Sequence, residues 1–124
     1  MTPLVQTVDD IFSESGALSR LQQFEYRPQQ RTMAVAIAGA LEARKHLIVE
    51  APTGVGKSLA YLVPAILSGL KVVVSTGTKT LQEQILKRDL PLLREHLPVE
   101  FSAAGLKGIS NYLCRRRFVE HDAQ

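Results

Sequence analysis

The stretch from Leu47 to Ser58, LIVEAPTGVGKS, constrains this chain more than any other. A short apolar run breaks into a turn with two glycines and ends on Gly-Lys-Ser. The run reads as a strand, the turn as a loop, and Leu59 to Leu67 as the helix that follows. Gly54 and Gly56 carry no Cβ and take backbone angles closed to other residues, so successive N–H groups can turn inward around an anion. Lys57 then supplies a cation, and the helix start adds unpaired N–H groups and the positive end of its dipole.

That layout is the one a P-loop requires: a phosphate cradle, Lys57 at the β- and γ-phosphates, and the Ser58 hydroxyl as a ligand to Mg²⁺. The strict pattern asks for Gly where Ala51 stands. The match is therefore to an A-x-T-G-x-G-K-S variant spanning Ala51, Pro52, Thr53, Gly54, Val55, Gly56, Lys57 and Ser58. A Gly-rich turn before a helix can also occur without any ligand, and here the flanking strand and helix favour the nucleotide reading.

The chain has 124 residues, room for one small domain. With 45% hydrophobic and 22% charged residues it has an ordinary globular composition, and its net charge of +3 is compatible with nucleic acid without being diagnostic. One cysteine excludes an internal disulfide framework and any all-cysteine metal site made by this chain alone. No Lys or Arg precedes Arg20, and the most apolar tract, Leu59 to Val74, is broken by Pro64, Ser68, Gly69 and Lys71. Neither a secretory signal nor a membrane span is expected, and a cytoplasmic location follows.

Along the chain, Val5, Val8, Ile11 and Phe12, then Leu18, Leu21 and Phe24, predict two short helices separated at Ser15-Gly16. Asp9, Asp10 and Glu14 read as their solvated face. Pro28 opens a helix to about Arg44, with Met33, Ile37 and Leu41 recurring every fourth residue. Gln30 near its start offers a donor and an acceptor, as an adenine edge needs, although such a glutamine is commonly just solvated. Pro64 should bend or end the helix after the loop, and Gly69 should cap it. Lys71 to Ser75 reads as a second strand, buried on both faces of a parallel sheet. The Thr76–Thr80 loop opens a helix that ends before Pro91. Its hydroxyls and Lys79 suit a phosphate backbone, or equally a Thr-capped helix start. Phe101 to Leu106 reads as a third strand, weakened by Gly105. His46, His96 and His121 share no spacing and receive no role.

Taken together, these segments resemble the amino-terminal part of DinG/YoaA-type superfamily 2 DNA helicases, the bacterial relatives of XPD. Arg27-Pro28-Gln29-Gln30 looks like that family's Q motif, Ala51 to Ser58 like motif I, and Ser75 to Gln84 (STGTKTLQEQ) like motif Ia. Lys107 to Cys114 (KGISNYLC) is similar to the segment that brings the first cysteine of the family's [4Fe–4S] cluster. Gly77 and Ile109 depart from the family's pattern.

The resemblance implies an α/β fold: a P-loop NTPase, RecA-like, three-layer sandwich around a parallel sheet, present as a truncated first helicase domain. Residues 1–23 would form an N-terminal helical segment, 24–106 part of the ATP-binding domain, and 107–124 the start of the iron–sulfur segment. It implies ATP and Mg²⁺ as cofactors and single-stranded or forked DNA as partner. The activity implied is ATP-driven unwinding, 5′ to 3′, in DNA repair.

By the same resemblance Gln30 would contact adenine with Arg27 nearby, residues 51–58 would hold the nucleotide, and Lys57 and Ser58 would act on it. Thr78, Lys79 and Thr80 would touch DNA, and Cys114 would bind iron in a full-length chain. No D-E-A-H segment, partner cysteine or second motor domain occurs in these residues. The chain alone is therefore expected to bind nucleotide with little turnover and to hold no cluster. Competing readings are a different P-loop NTPase, such as a small kinase, and a non-catalytic nucleotide- or DNA-binding remnant.

Overall fold

The computed structural model describes residues 2–122. Its organising unit is a packed group of helices. Helix α1 (Pro3–Ile11) begins at Thr2, whose hydroxyl accepts from the Val5 N–H, and it buries Val8 and Ile11. Phe12, just beyond, is 1% exposed. The second helix expected in the N-terminal segment is a single 3-10 turn, Ala17–Arg20, which buries Leu18. It starts from an extended Gly16, pressed so close to the Asp10 and Ile11 carbonyls that a Cβ there would overlap them.

Helix α2 (Pro28–Ala43) has proline in its first turn and ends with Arg44 in the left-handed region. Its buried positions are Gln30, Ala34 and Ala38, one step away from the Met33–Ile37–Leu41 stripe. The reason is size: Ala34, Ala38 and Ala60 are all 0% exposed and let α2 lie close on α3. Met33, Ile37 and Leu41 instead line a shallow apolar groove with Leu47, Val49 and Tyr61.

Helix α3 (Lys57–Leu67) runs on past Pro64 instead of stopping there. Pro64 falls in its last turn, where the break leaves little helix to lose, and its ring is fully buried with Val63. Gly69, with φ +70°, follows as the expected left-handed cap residue.

The helical stretch that opens with α4 (Lys79–Gln84) does not stop before Pro91. It widens into a π turn, Ile85–Asp89, and continues as α5 (Leu90–His96). The Leu90 N–H reaches back to the Ile85 carbonyl, and Pro91 sits in the first turn of α5, where a missing N–H costs little. A 3-10 turn, Ile109–Asn111, and helix α6 (Arg115–Asp122) complete the described chain.

The expected sheet is not formed among the described residues. The runs around Leu47–Glu50, Lys71–Ser75 and Phe101–Leu106 carry no strand assignment, and no backbone hydrogen bond joins any two of them. In the first two runs the exposure nevertheless alternates. Ile48 is 98% exposed between Leu47 at 44% and Val49 at 40%, and Val73 is 90% exposed between Val72 at 42% and Val74 at 40%. One side of each of these two runs is about half covered and the other is open, so the run at 71–75 is not buried on both faces.

Candidate functional site

Gly54 and Gly56 hold φ of +87° and +85°, the left-handed region that favours glycine. Gly56 is the N-cap of α3 and offers no side chain to the first N–H groups of that helix. Those N–H groups therefore stay available to an anion, at the positive end of an eleven-residue helix. Lys57 is exposed at the first helical position and makes no ion pair among the described residues. Ser58, half-buried, follows it. Pro52, Thr53 and Gly54 are exposed, while Val55 is buried and anchors the turn.

Gln30 is not the exposed glutamine the sequence suggested. It is 3% exposed, and its Nε2 donates to the Gly56 carbonyl at 3.0 Å. A Cβ on Gly56 would overlap Gln30 Nε2 and push that amide aside, so the positive φ is what requires glycine and the close approach of Gln30 adds to it. Arg27, the N-cap of α2, reaches the same corner and pairs with Glu25 at 3.3 Å. Arg27, Gln30 and the 54–58 turn are thus brought together across a gap of more than twenty residues in sequence.

The corner is braced from behind. Arg31, next to Gln30, donates to both Asp9 oxygens, Nε to Oδ1 at 2.7 Å and Nη2 to Oδ2 at 3.0 Å, and so fastens α1 to α2. These bonds hold the Asp9 carboxyl below its usual range and raise the Arg31 guanidinium. Asp9 is therefore not simply part of a solvated face. No local signal could have shown this, since its partner lies 22 residues away.

At the second candidate turn, the Thr78 hydroxyl accepts from the Leu81 N–H at 3.2 Å, so it caps α4. The Thr76 hydroxyl donates to the Thr78 carbonyl at 3.2 Å, while Lys79 and Thr80 are exposed. Capping occupies an acceptor lone pair of Thr78 and leaves its O–H free to donate. Cys114 is exposed, and no group of three potential metal ligands occurs among the described residues. A four-ligand cluster does not fit the side chains present.

Two further features were not read from the sequence, although the Glu83–Lys87 spacing of four is a local helix-pair signal. Glu83 lies between Lys87, at 2.6 Å, and Lys107, and these bonds, that from Lys107 first, hold its carboxyl down to about 2. Asp89, 3% exposed in the π turn, has an Oδ2 with no partner, and burial raises its carboxyl. Among the described residues, no helix is long and apolar enough to cross a membrane.

Comparison with known proteins bears on the same residues. The family described as DEAD/DEAH box helicase matches residues 26–117. An ATP-dependent DNA helicase YoaA from Haemophilus influenzae is 42% identical over 118 residues, covering 94% of this chain and 18% of its own length. A 3′-5′ exonuclease DinG from Bacillus subtilis is 43% identical over 107 residues, covering 82% and 12%. An ATP-dependent helicase DinG from Mycobacterium tuberculosis is 52% identical over 96 residues, covering 71% and 14%. The chain thus spans less than a fifth of each of these relatives. No solved structure gives a significant match.

Proposed function

Because the chain belongs to the DEAD/DEAH box helicase family, and so to the P-loop NTPase fold, we propose that it is the nucleotide-binding front of an ATP-dependent DNA helicase. The observation that carries the reading is the corner where Gln30 bonds the Gly56 carbonyl beneath an uncapped helix start that presents Lys57. Residues 24–106 belong to the ATP-binding domain, 1–23 brace it, and 107–124 lead into a cluster-bearing segment supplied in full only by a longer chain.

In this reading the N–H groups of residues 54–58 wrap the β-phosphate and Lys57 neutralises the β- and γ-phosphates. The Ser58 hydroxyl would hold Mg²⁺, which would supply positive charge to offset that of the phosphates. Ala51, Pro52, Thr53 and Val55 shape the turn. Gln30 sets the position of Gly56 and offers the rest of its amide to adenine, with Arg27 beside it. Lys79, Thr80 and the O–H of Thr78 contact the sugar–phosphate backbone of a single strand. The three extended runs become strands of a central parallel sheet when neighbouring strands pair with them. Cys114 serves as one cluster ligand in that longer chain. The residues of this chain bind nucleotide with little turnover, since they include no acidic segment to orient the attacking water.

The test is thermal unfolding of this chain with and without Mg·ATP. At about 100 times its dissociation constant, a ligand of the folded state stabilises it by about 2.7 kcal/mol. The shift should disappear in Lys57→Ala. No shift, or one that Lys57→Ala retains, contradicts the reading.

A further inference from the structure

We propose that Glu83, assisted by Gln82, is a positioning residue that fixes the segment leading to Cys114 against the helix capped by Thr78, so that both stretches meet a nucleic-acid strand as one surface. The inference rests on the reading that the 78–80 turn touches a single strand.

Three observations carry it. The Glu83 carboxylate accepts from the ammonium groups of Lys87 and Lys107, and Lys107 lies 24 residues away. The next side chain on the helix, Gln82, donates from Nε2 to the Leu106 carbonyl at 2.9 Å. The segment then closes on itself, with the Lys107 N–H donating to the Tyr112 hydroxyl at 2.7 Å. A single exposed ion pair holds little. Here two adjacent side chains of α4 grip two adjacent residues of the other segment, one by its carbonyl and one by its ammonium group, and that fixes register as well as distance.

The chemistry of the surface points to phosphate as what it meets. Two ammonium groups share the one Glu83 carboxylate, which leaves a surplus positive charge. Lys79 lies one turn earlier on α4, four residues before Glu83 and so on the same side of the helix. The segment beyond Tyr112 runs into Arg115, Arg116 and Arg117, all exposed at the start of α6. A strand that leaves Lys79 and Thr80 along this line would find positive charge continuing toward Cys114.

The experiment is oligothymidylate binding by fluorescence anisotropy with this 124-residue chain. It compares the parent chain with Glu83→Gln, Glu83→Asp, Gln82→Ala and Lys79→Ala. Removing a negative charge near the strand should by itself tighten binding. Positioning predicts the opposite: Glu83→Gln and Gln82→Ala weaken binding about threefold, the cost of ordering freed side chains on binding. Glu83→Asp should retain most of the affinity. Binding unchanged or tighter in Glu83→Gln overturns the proposal.

If Lys79→Ala binds as the parent does, the nucleic-acid reading of the turn fails by itself. The exchange rate of the Lys107 amide, read by NMR, then decides the positioning. It should rise severalfold in Glu83→Gln while the amides of α2 and α3 keep their rates. Equal Lys107 exchange in the two chains overturns it.

Discussion

The helical core and the extended runs of this molecule both carry large apolar residues, yet only the core is finished. Val8, Phe12, Leu18, Val63 and Leu93 are at most 1% exposed, whereas Ile48 and Val73, of similar size and hydrophobicity, are 98% and 90% exposed. A helix closes its own backbone hydrogen bonds and needs a neighbour only for its apolar stripe. A strand must borrow both its hydrogen bonds and its packing from other strands. What separates the two regions is therefore completeness, and the candidate nucleotide corner lies on the seam between them. It is entered from the run at 47–50 and continues into α3.

Substitutions can break or sharpen this contrast. The largest effect is expected from Phe12→Ala, which empties a fully buried site shared by the helical core and should cost about 3–5 kcal/mol in chemical denaturation. The matching truncation Val73→Ala should stay within about 0.5 kcal/mol, because little is buried there to lose. Similar losses for the two would erase the distinction. Next comes Gly56→Ala. A non-glycine residue in the left-handed region costs about 1–2 kcal/mol, and the new Cβ would displace Gln30. Both stability and the nucleotide-induced shift should fall together.

Asp89→Asn should act in the other direction. The carboxyl is buried with one oxygen unpaired, which penalises its charged form, and a neutral amide there should raise stability near neutral pH by about 1 kcal/mol. The sign with pH follows from its raised carboxyl. The folded state holds that proton more tightly than the unfolded chain, so this site favours folding as pH falls, and Asn should remove that trend.

The smallest effect, with the opposite sign, belongs to Glu83. Its carboxyl is lowered from 4.5 to about 2, so its contribution is complete above about 4.5 and is lost as pH falls toward 2. Over that window the Lys107 amide should lose protection in the parent chain and change little in Glu83→Gln, as followed by NMR.

The helical half was largely legible in the sequence because its signals are local. Pro28 marks a helix start, Gly69 a helix end, and the glycine turn before Lys57 reveals its geometry through residue type alone. Where local signals misled, a long-range contact decided. The Met33–Ile37–Leu41 stripe has the right period, but small residues at Ala34 and Ala38 set the close approach to α3. Pro91 looked like a helix stop until the π turn before it absorbed the break. Gln30, Asp9 and Glu83 each find a partner more than twenty residues away, and no spacing rule encodes such pairs. The three runs read as strands in the sequence are extended without strand pairing among the described residues, because pairing depends on neighbours rather than on the run itself.

The most direct test is amide hydrogen exchange across this chain, free and with saturating Mg·ATP. The account predicts protected amides in α2 and α3, rapid exchange at 47–50 and 71–75 in both conditions, and slowing by nucleotide concentrated in residues 54–59. Unchanged exchange at 54–59 under saturating nucleotide would contradict it, since those N–H groups are the ones assigned to the phosphates.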